Sequence, residues 1–339
     1  MDNLVLSGTR RTPPRATATD KYRDWVRLMR HGRFDRAWMI SDEIVSNYSP
    51  TQNRDRPLYE QIVWNGDPLD GRRVLVRCYH GLGDTIQFSR FIPMVKQIAA
   101  ETTVELPEPL VDLFSGASWM SGVHLSTAVE SGADEIEAEI MELAHIFRIG
   151  EGTIPDIPHL SVCPEPIARD RRLAVGIVWK AGEWDDRRSL DLKHLWPLRT
   201  VPGVSFHSLQ IDPYSAGWSD DFGTALDAKG ILRTAQLIEA TDLIITVDTM
   251  TAHLAGTLRK PVWTLLQADA DWRWMLDRQD SPWYPTMLLF RQQTQGDWGS
   301  VIESVSSELR RLANQRSDGS KSRAWGAARG DSSFGQPFL

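Results

Sequence analysis

The chain has 339 residues and a formal net charge of −7, with 41% apolar and 24% charged residues, a composition typical of soluble globular proteins. The length predicts two domains, and the negative charge excludes a basic surface that would hold nucleic acid or an anionic membrane by charge alone. With two cysteines, no apolar run of membrane-spanning length and no signal-peptide pattern, we expect a protein of a reducing compartment without a transmembrane segment.

The first predicted structure is a pair of helices. Residues 1–19 are polar and are expected to be disordered, whereas residues 20–50 contain two helix-like segments separated by His31-Gly32. Each segment places apolar side chains on one face, with Trp25 in the first and Trp38 in the second. The pattern resembles a single tetratricopeptide-type hairpin. Such a hairpin cannot bury its own apolar face and must dock on this chain or on a partner protein.

An α/β domain is predicted at residues 70–165. A strand at 74–78 leads through a glycine-rich turn into an amphipathic helix at 84–99, which Pro93 interrupts. Residues 104–106 are predicted to form a second strand. The domain is short for a full Rossmann unit, and three prolines mark a linker at its end: Pro155, Pro158 and Pro164.

A second α/β domain is predicted at residues 172–313, followed by a disordered tail at 314–339. Its predicted elements are strands at 173–179 and 205–209, a helix at 234–240 capped by Thr234, a strand–turn–helix–strand unit at 243–266 and a closing helix at 301–313. Two such α/β halves place a ligand cleft between the carboxyl ends of their sheets.

The unit at 243–266 carries the strongest functional signal. Asp248, Thr249 and Thr251 follow an apolar strand and open a short helix, whose first N–H groups favour an anion such as a phosphate. The alternative is that Asp248 merely caps the helix. His253 taken alone is better explained as a histidine of the protein core than as a ligand-binding group.

The turn between the first strand and its helix has the sequence Gly81-Leu-Gly-Asp-Thr85. It lacks the third glycine of a dinucleotide fingerprint and the Gly-Lys-Ser/Thr of a P-loop. Two explanations of Asp84 stay open. It is either a cap of the following helix or a general base that takes a proton from an attacking hydroxyl.

A charged loop follows the strand that ends at Trp179. Lys180, Arg188 and Ser189 there are suited to neutralising a diphosphate leaving group. The alternative is a solvated loop in which Asp185 and Asp186 pair with the arginines. Asp269-Ala-Asp271 matches a short metal-binding pattern. That pattern is common, and no second ligand cluster accompanies it, so we expect no metal.

Six motifs occur in the order found in one enzyme family. They are Gly81-Leu-Gly-Asp-Thr-Ile-Gln-Phe-Ser-Arg-Phe91, Val175-Gly-Ile-Val-Trp179, Arg188-Ser189, Ser208-Leu-Gln210, Val247-Asp-Thr-Met-Thr-Ala-His-Leu-Ala-Gly256 and Ser281-Pro-Trp-Tyr-Pro285. Together, over residues 70–313, they resemble the heptosyltransferase-like glycosyltransferases of family 9. The similarity is greatest to the bacterial branch that carries tetratricopeptide repeats.

The resemblance implies a GT-B fold, in which two Rossmann-like domains face each other across a cleft, here preceded by the helical hairpin. It also implies inverting, metal-independent transfer of a sugar from a nucleotide-diphosphate sugar, such as an ADP-heptose-like donor, to a hydroxyl of a glycan or a protein. No cofactor beyond the donor substrate is implied. The expected location is the cytoplasm, including a peripheral position at the inner membrane.

The resemblance also implies a role for individual residues. Asp84 corresponds to the family's proposed base, with Gly81, Gly83 and Gln87 on the acceptor side. The donor-binding residues it implies are Lys180, Arg188, Ser189, Gln210, Asp248, Thr249, Met250, Thr251, Ala252 and His253. Met250 replaces a small residue usual in the family, and Lys180-Ala-Gly182 replaces its usual small residue and asparagine.

Two other functions compete with the transferase hypothesis. One is a non-catalytic GT-B protein that acts as a binding module or scaffold; the presence of both Asp84 and the Asp248 turn argues against it. The other is a nucleotide-sugar epimerase, which would need further acid and histidine groups around the sugar. The sequence identifies neither the sugar nor the acceptor, although the hairpin tilts the expectation towards a protein.

Overall fold

The computed structural model describes residues 18–47, 56–130, 132, 134–156, 158, 160–168, 170–182 and 184–317. Most of the predicted disordered N-terminus and tail lies outside these described residues. Within them the protein is α/β, with two parallel sheets that are preceded in the sequence by a helical hairpin.

The strands are β1 (Arg73–Arg77), β2 (Glu101–Glu105), β3 (His124–Ser126), β4 (Glu135–Glu139), β5 (Leu173–Val178), β6 (Val204–Ser208), β7 (Thr224–Ala225), β8 (Leu243–Val247), β9 (Val262–Leu266) and β10 (Met287–Arg291). The first sheet has the order β3-β2-β1-β4 and the second the order β10-β9-β8-β5-β6-β7. All pairings within both sheets are parallel. The carboxyl ends of the strands in each sheet therefore lie at one edge, where loops can form a site.

The α-helices are α1 (Ala18–Arg30), α2 (Phe34–Ser46), α3 (Leu82–Phe88), α4 (Ile92–Ile98), α5 (Val111–Ser115), α6 (Leu143–Ile146), α7 (Ile231–Ala240), α8 (Met250–Thr257) and α9 (Trp298–Ser317). Short 3₁₀ helices lie at Leu58–Glu60, Ser89–Phe91, Glu108–Leu110, Ser118–Met120, Glu151–Thr153, Asp186–Arg188, Leu192–Thr200 and Trp272–Trp274. Among the described residues, no helix is both long and apolar enough to cross a bilayer.

The hairpin of α1 and α2 docks on this chain. The rings of Trp25 and Trp272 meet edge to face, with their centroids 5.3 Å apart. Trp38 Nε1 donates to the carbonyl of Ile149 at 2.8 Å, and Met29 is fully buried. The apolar face that the sequence left without a partner is therefore covered by both halves of the same molecule. A partner protein, if one binds the hairpin, must use another face.

One hydrophobic cluster joins the parts of the molecule. It contains buried residues of the hairpin, of one face of the first sheet and of one face of the second sheet. A separate cluster lies on the other face of the second sheet, where α9 packs. The two sheets and the hairpin therefore share a continuous core, which fixes their carboxyl ends relative to each other.

Three local predictions were wrong in detail. The predicted helix at 84–99 is divided into α3 and α4, and Pro93 lies in the first turn of α4, where a missing N–H is tolerated. Helix α7 begins after Gly230, so Thr234 is inside the helix and donates to the carbonyls of Ala228 and Gly230 instead of capping it. The second strand is Glu101–Glu105 rather than 104–106.

Candidate active site

Asp84 lies in the first turn of α3, directly after the end of β1. Its Oδ2 accepts a hydrogen bond from the N–H of Gly81 at 3.0 Å, so it caps the start of the helix from the third helical position. Its Oδ1 accepts a hydrogen bond from Arg273 Nη1 at 2.6 Å. The capping explanation is therefore correct as far as it goes, but it accounts for only one of the two carboxylate oxygens.

Arg273 is the central cation of the site, and it was not identified from the sequence. It belongs to the 3₁₀ helix Trp272–Trp274 of the second half and is buried. Besides Asp84 it contacts Asp271 Oδ1 through Nε at 2.8 Å and Gln87 Oε1 through Nη1 at 3.0 Å. One guanidinium thus connects α3 of the first half to a loop of the second.

This ion pair controls the ionisation of Asp84. Burial alone would raise the pKa of Asp84, but the charge and hydrogen bond of Arg273 outweigh it and hold that pKa below its usual value. Burial opposes the charge of Arg273 in the same way, but the carboxylates of Asp271, Asp84 and Asp248 raise its pKa above the ordinary range. Both groups are therefore charged at neutral pH.

Helices α3 and α8 touch at Gly83. A Cβ added to Gly83 would lie 2.8 Å from His253 Cδ2 and 3.3 Å from Met250 Cα, distances that a real Cβ contact does not tolerate without movement. Glycine is required here because the two helices approach so closely. The contact brings the Asp84 turn of the first sheet next to the Asp248 turn of the second.

Asp248 directly follows β8 and is buried. Burial, reinforced by the charge of Asp271, raises its pKa to about 6. The helix cap is the next residue, since Thr249 Oγ1 accepts the hydrogen bond from Thr251 N at 3.2 Å. Capping therefore does not explain Asp248, which stays a buried acid at the end of a central strand.

The amides at the start of α8 are partly used within the protein. Thr251 N donates to Thr249 Oγ1 and Ala252 N donates to the Thr249 carbonyl at 3.0 Å. Ala252 is completely buried, whereas Met250 is half-buried. The expectation that these amides bind a diphosphate is thus weakened for Thr251 and Ala252, whose N–H groups already have partners.

His253 has the environment of a core histidine. Its Nδ1 lies 3.0 Å from the hydroxyl of Tyr284, and its ring stacks on Trp274 with a centroid distance of 5.3 Å. Burial, and then the nearby charge of Arg273, lower its pKa to about 3, so it is neutral. Its contacts are those of a packing residue between α3 and the loop at 272–284.

The loops after β5 and β6 contribute the remaining predicted donor residues. Gln210 Oε1 accepts hydrogen bonds from the N–H groups of Trp179 and Lys180 at 3.3 and 3.0 Å, and Ser189 Oγ accepts one from Ala181 N at 2.9 Å. These contacts fix the shape of the loop after β5. Half-buried Lys180 and Ser189 lie on it, at the carboxyl edge of the second sheet.

Two adjacent arginines of this loop have different roles. Arg187 pairs with Asp185, with Nε at 2.9 Å from Oδ1. Arg188 instead reaches across to the Asp248 turn, where its Nη1 donates to the Asp248 carbonyl at 3.2 Å. The predicted pairing of an aspartate with the arginines therefore holds for Arg187 but not for Arg188, whose guanidinium points to the candidate donor site.

The two aspartates of Asp269-Ala-Asp271 form ion pairs with arginines in this structure. Asp269 pairs with Arg30 of α1 at 2.6 Å and Asp271 pairs with Arg273. Within the described part of the chain, no three His, Cys, Asp or Glu side chains gather closely enough to hold a metal ion.

Further functional candidates were missed because they lie far from Asp84 in sequence. Arg273 is separated from Asp84 by 189 positions. The only available signal was the dense run Asp271-Trp-Arg-Trp274, together with the Ser281–Pro285 motif. That motif supplies Trp283, whose Nε1 donates to the Arg273 carbonyl at 2.9 Å, and Tyr284, the partner of His253.

No family model matches the chain. Protein FlbA of Caulobacter vibrioides is 26% identical over an alignment that covers 84% of this chain and 54% of FlbA. The chain thus spans about half the length of the curated relative it matches.

Two solved structures are similar over most of the chain. A family 9 glycosyl transferase from Veillonella parvula is 11% identical and covers 73% of this chain and 98% of its own, with a TM-score of 0.52. The dodecameric iron-containing heptosyltransferase TibC, solved with ADP-D-β-D-heptose, is 13% identical and covers 73% and 78%, with a TM-score of 0.50. This chain has the fold of glycosyltransferase family 9. The predicted GT-B arrangement of two Rossmann-like halves is thereby confirmed as a fold.

Proposed function

We propose that this chain is a glycosyltransferase that moves a sugar from a nucleotide-diphosphate sugar to a hydroxyl of a glycan or a protein, with inversion and without a metal. The main support for the proposal is the contact between two turns. The Asp84 turn of one sheet and the Asp248 turn of the other touch at Gly83, with buried Arg273 bonded to Asp84. An ADP-heptose-like donor is the first to test, since TibC was solved with ADP-D-β-D-heptose.

In the proposed mechanism Asp84 accepts the proton of the acceptor hydroxyl while the oxygen attacks the anomeric carbon. The bond from that carbon to the diphosphate breaks, and the electron pair leaves on the phosphate oxygen. Arg188 and Lys180 neutralise this charge with the help of the start of α8. The helix end contributes only about 1 kcal/mol, so the cationic side chains are needed as well.

In this proposal, residues 70–165 form the half that binds the acceptor and residues 172–313 form the half that binds the donor. Residues 20–50 form the hairpin. The same proposal places the hairpin in the tetratricopeptide branch of the family and the protein in the cytoplasm. It also includes a protein partner at the exposed face of the hairpin.

The donor half is tested with a panel of nucleotide sugars and the thermal stability of the full chain. Ligand at about 100 times its Kd stabilises a protein by about 2.7 kcal/mol, so the true donor should raise the Tm by several degrees. Arg188→Gln should weaken donor binding about 10- to 100-fold, because a hydrogen bond to a charged group contributes about 1.5–3 kcal/mol.

Arg187→Gln is the matched control, since the neighbouring Arg187 is held by the carboxylate of Asp185. It should bind the donor nearly as well as the unmodified chain. Equal losses of affinity in the two variants would remove Arg188 from the site. A chain that no nucleotide sugar stabilises would contradict the proposed function itself.

A further inference from the structure

A buried arginine of the first half binds the second half and has no part in the mechanism so far. Arg90 lies in the 3₁₀ helix Ser89–Phe91, directly after α3, and is 2% exposed. Its Nε donates to the Gln87 carbonyl at 2.8 Å, and its Nη1 donates to the carbonyls of Trp283 at 2.9 Å and Pro155 at 3.3 Å. One guanidinium thus binds α3, the linker between the halves and the second half.

The same guanidinium also contacts two aromatic rings of the second half. Its Cζ lies 5.3 Å from the ring centroid of Trp283 and 5.1 Å from that of Tyr284, both within the range of a cation–π contact. A planar guanidinium with donors in fixed directions matches carbonyls and ring faces together, whereas a lysine ammonium is a single point charge. The geometry of Arg90 is therefore suited to holding Trp283 and Tyr284 in one position.

Tyr284 in turn supports helix α8. Its hydroxyl lies 3.0 Å from Nδ1 of His253, in the first half of that helix. Its ring packs against the backbone of Gly256, where an added Cβ would lie only 2.4 Å from Tyr284 Cδ1. Glycine is required at this position because the ring comes so close to the helix. Helix α8 therefore rests on Tyr284 at two points about one turn apart.

These contacts return to α3 and so connect the two turns of the candidate site. His253 also packs on Gly83, the residue before Asp84, and Arg90 lies directly after the same helix. Helix α3, Tyr284 and α8 thus form a closed ring of contacts. A shift of Tyr284 would therefore move α8, and the turn that precedes it, relative to Asp84.

We propose that Arg90 is a positioning residue that sets the distance between helix α8 and Asp84. It acts through Trp283 and Tyr284 and touches neither the substrates nor the reacting atoms. Its importance for turnover rests on the proposed transfer reaction, whereas its hold on α8 does not. In that reaction an acceptor hydroxyl at Asp84 must meet the anomeric carbon of a donor at α8, and a misplacement of about 1 Å can lower the rate about 100-fold.

The first test is hydrogen exchange of the full chain and of Arg90→Lys, which keeps the charge but loses the planar set of donors. Amides of α8 should exchange about 10-fold faster in the variant, because hydrogen bonds from a charged group are lost and the helix opens locally more often. Amides of α9, on the other face of the second sheet, should keep their rates. Arg199→Lys is the matched control, since exposed Arg199 lies over the ring of Trp196, with Cζ 4.4 Å from its centroid.

Two outcomes of this experiment would overturn the proposal. Equally faster exchange in α8 and α9 would mean that Arg90 stabilises the whole fold without positioning α8, and unchanged exchange in α8 would mean that it does not hold the helix. Tyr284→Phe decides the question if Arg90→Lys does not fold. It keeps the ring and removes only the hydroxyl beside His253, so α8 should again exchange faster while α9 does not. Unchanged exchange of α8 in this variant contradicts the proposal as well.

The second test is turnover with saturating nucleotide sugar, far below the Tm. Arg90→Lys should release nucleoside diphosphate about 10- to 100-fold more slowly but keep its donor affinity, because the proposed phosphate-binding residues Lys180 and Arg188 are unchanged. A loss of turnover that only follows the folded fraction, or that an equal loss of donor affinity accompanies, would contradict the positioning role. If no nucleotide sugar binds the unmodified chain, the proposed function fails, and hydrogen exchange still decides whether Arg90 holds α8.

Discussion

Asp248 shows at the scale of one residue how a buried acid can weaken the fold that holds it. Its carboxyl lies buried at the end of β8, and burial raises its pKa to about 6 from an ordinary value of 3.8. A raised pKa means that the folded chain binds the proton more tightly than the unfolded chain does. The contribution of Asp248 to stability is thus lost as the pH rises from about 4 to above 6.

Asp248→Asn should therefore make the protein more stable at pH 8. A shift of about two pKa units corresponds to about 3 kcal/mol, which is an upper bound for the gain. The gain should disappear near pH 4, where the aspartate is protonated in the folded chain. Thermal unfolding across this pH range measures the effect, with exposed Asp112→Asn on α5 as the control. A variant less stable than the parent at pH 8 would show that ionised Asp248 supports the fold.

The residues of the candidate site were predictable only where the chemistry lies next to a strand end. Asp84 and Asp248 each follow a strong apolar strand, and the sequence pattern located both. Arg273 has no such marker, because its partners Asp84 and Gln87 are distant in sequence and only the packing of α3 against the second half brings them together. The run Asp271-Trp-Arg-Trp274 marks the segment as unusual but does not indicate that its arginine contacts Asp84.

At the scale of elements, the hairpin acts as a support for the site. Helix α1 packs on the 3₁₀ helix that carries Arg273, through Trp25 on Trp272. Arg30 of the same helix donates to Asp269 Oδ1 and to the Ala270 carbonyl, both at 2.6 Å. The hairpin therefore holds the segment at 269–274 in place, and through it the guanidinium that binds Asp84.

Trp25→Ala should lower the free energy of unfolding by about 2 kcal/mol, less than the loss for a fully buried tryptophan. It should also lower turnover at temperatures far below the Tm, because Arg273 loses its support. Arg23→Ala on the same helix is the control, since the side chain of Arg23 is 72% exposed. Turnover that follows the folded fraction alone would mean that the hairpin stabilises the chain without positioning Arg273.

The elements of the fold were predicted unevenly, for physical reasons. Strands β1, β5, β8 and β9 are apolar and buried, so their sequence pattern is clear. Strand β4 was missed because it alternates three glutamates with only two apolar residues, Ile136 and Ala138. Its Glu137 is stabilised in the sheet by a hydrogen bond from Arg77 Nε at 2.8 Å, a contact between strands that the sequence does not reveal.

At the scale of the molecule, α3 of the first half packs against α8 of the second half, and the hydrophobic core shared by the two halves fixes that arrangement. The division into two α/β halves followed from the repeated strand–turn–helix pattern. The place of the hairpin did not, because an amphipathic face specifies that it must be covered but not by what. Here it is covered by the same chain, next to the loop that carries Arg273.

The central claim is that the two turns form one active site for sugar transfer. The most direct measurement is the release of nucleoside diphosphate from the stabilising nucleotide sugar by the full chain and by Asp84→Asn, with Asp112→Asn as the matched control. Loss of a general base lowers turnover by about 10²- to 10⁴-fold. We predict such a loss for Asp84→Asn with donor binding retained, and near-normal turnover for the control. Equal turnover of all three proteins would contradict the assignment of this site.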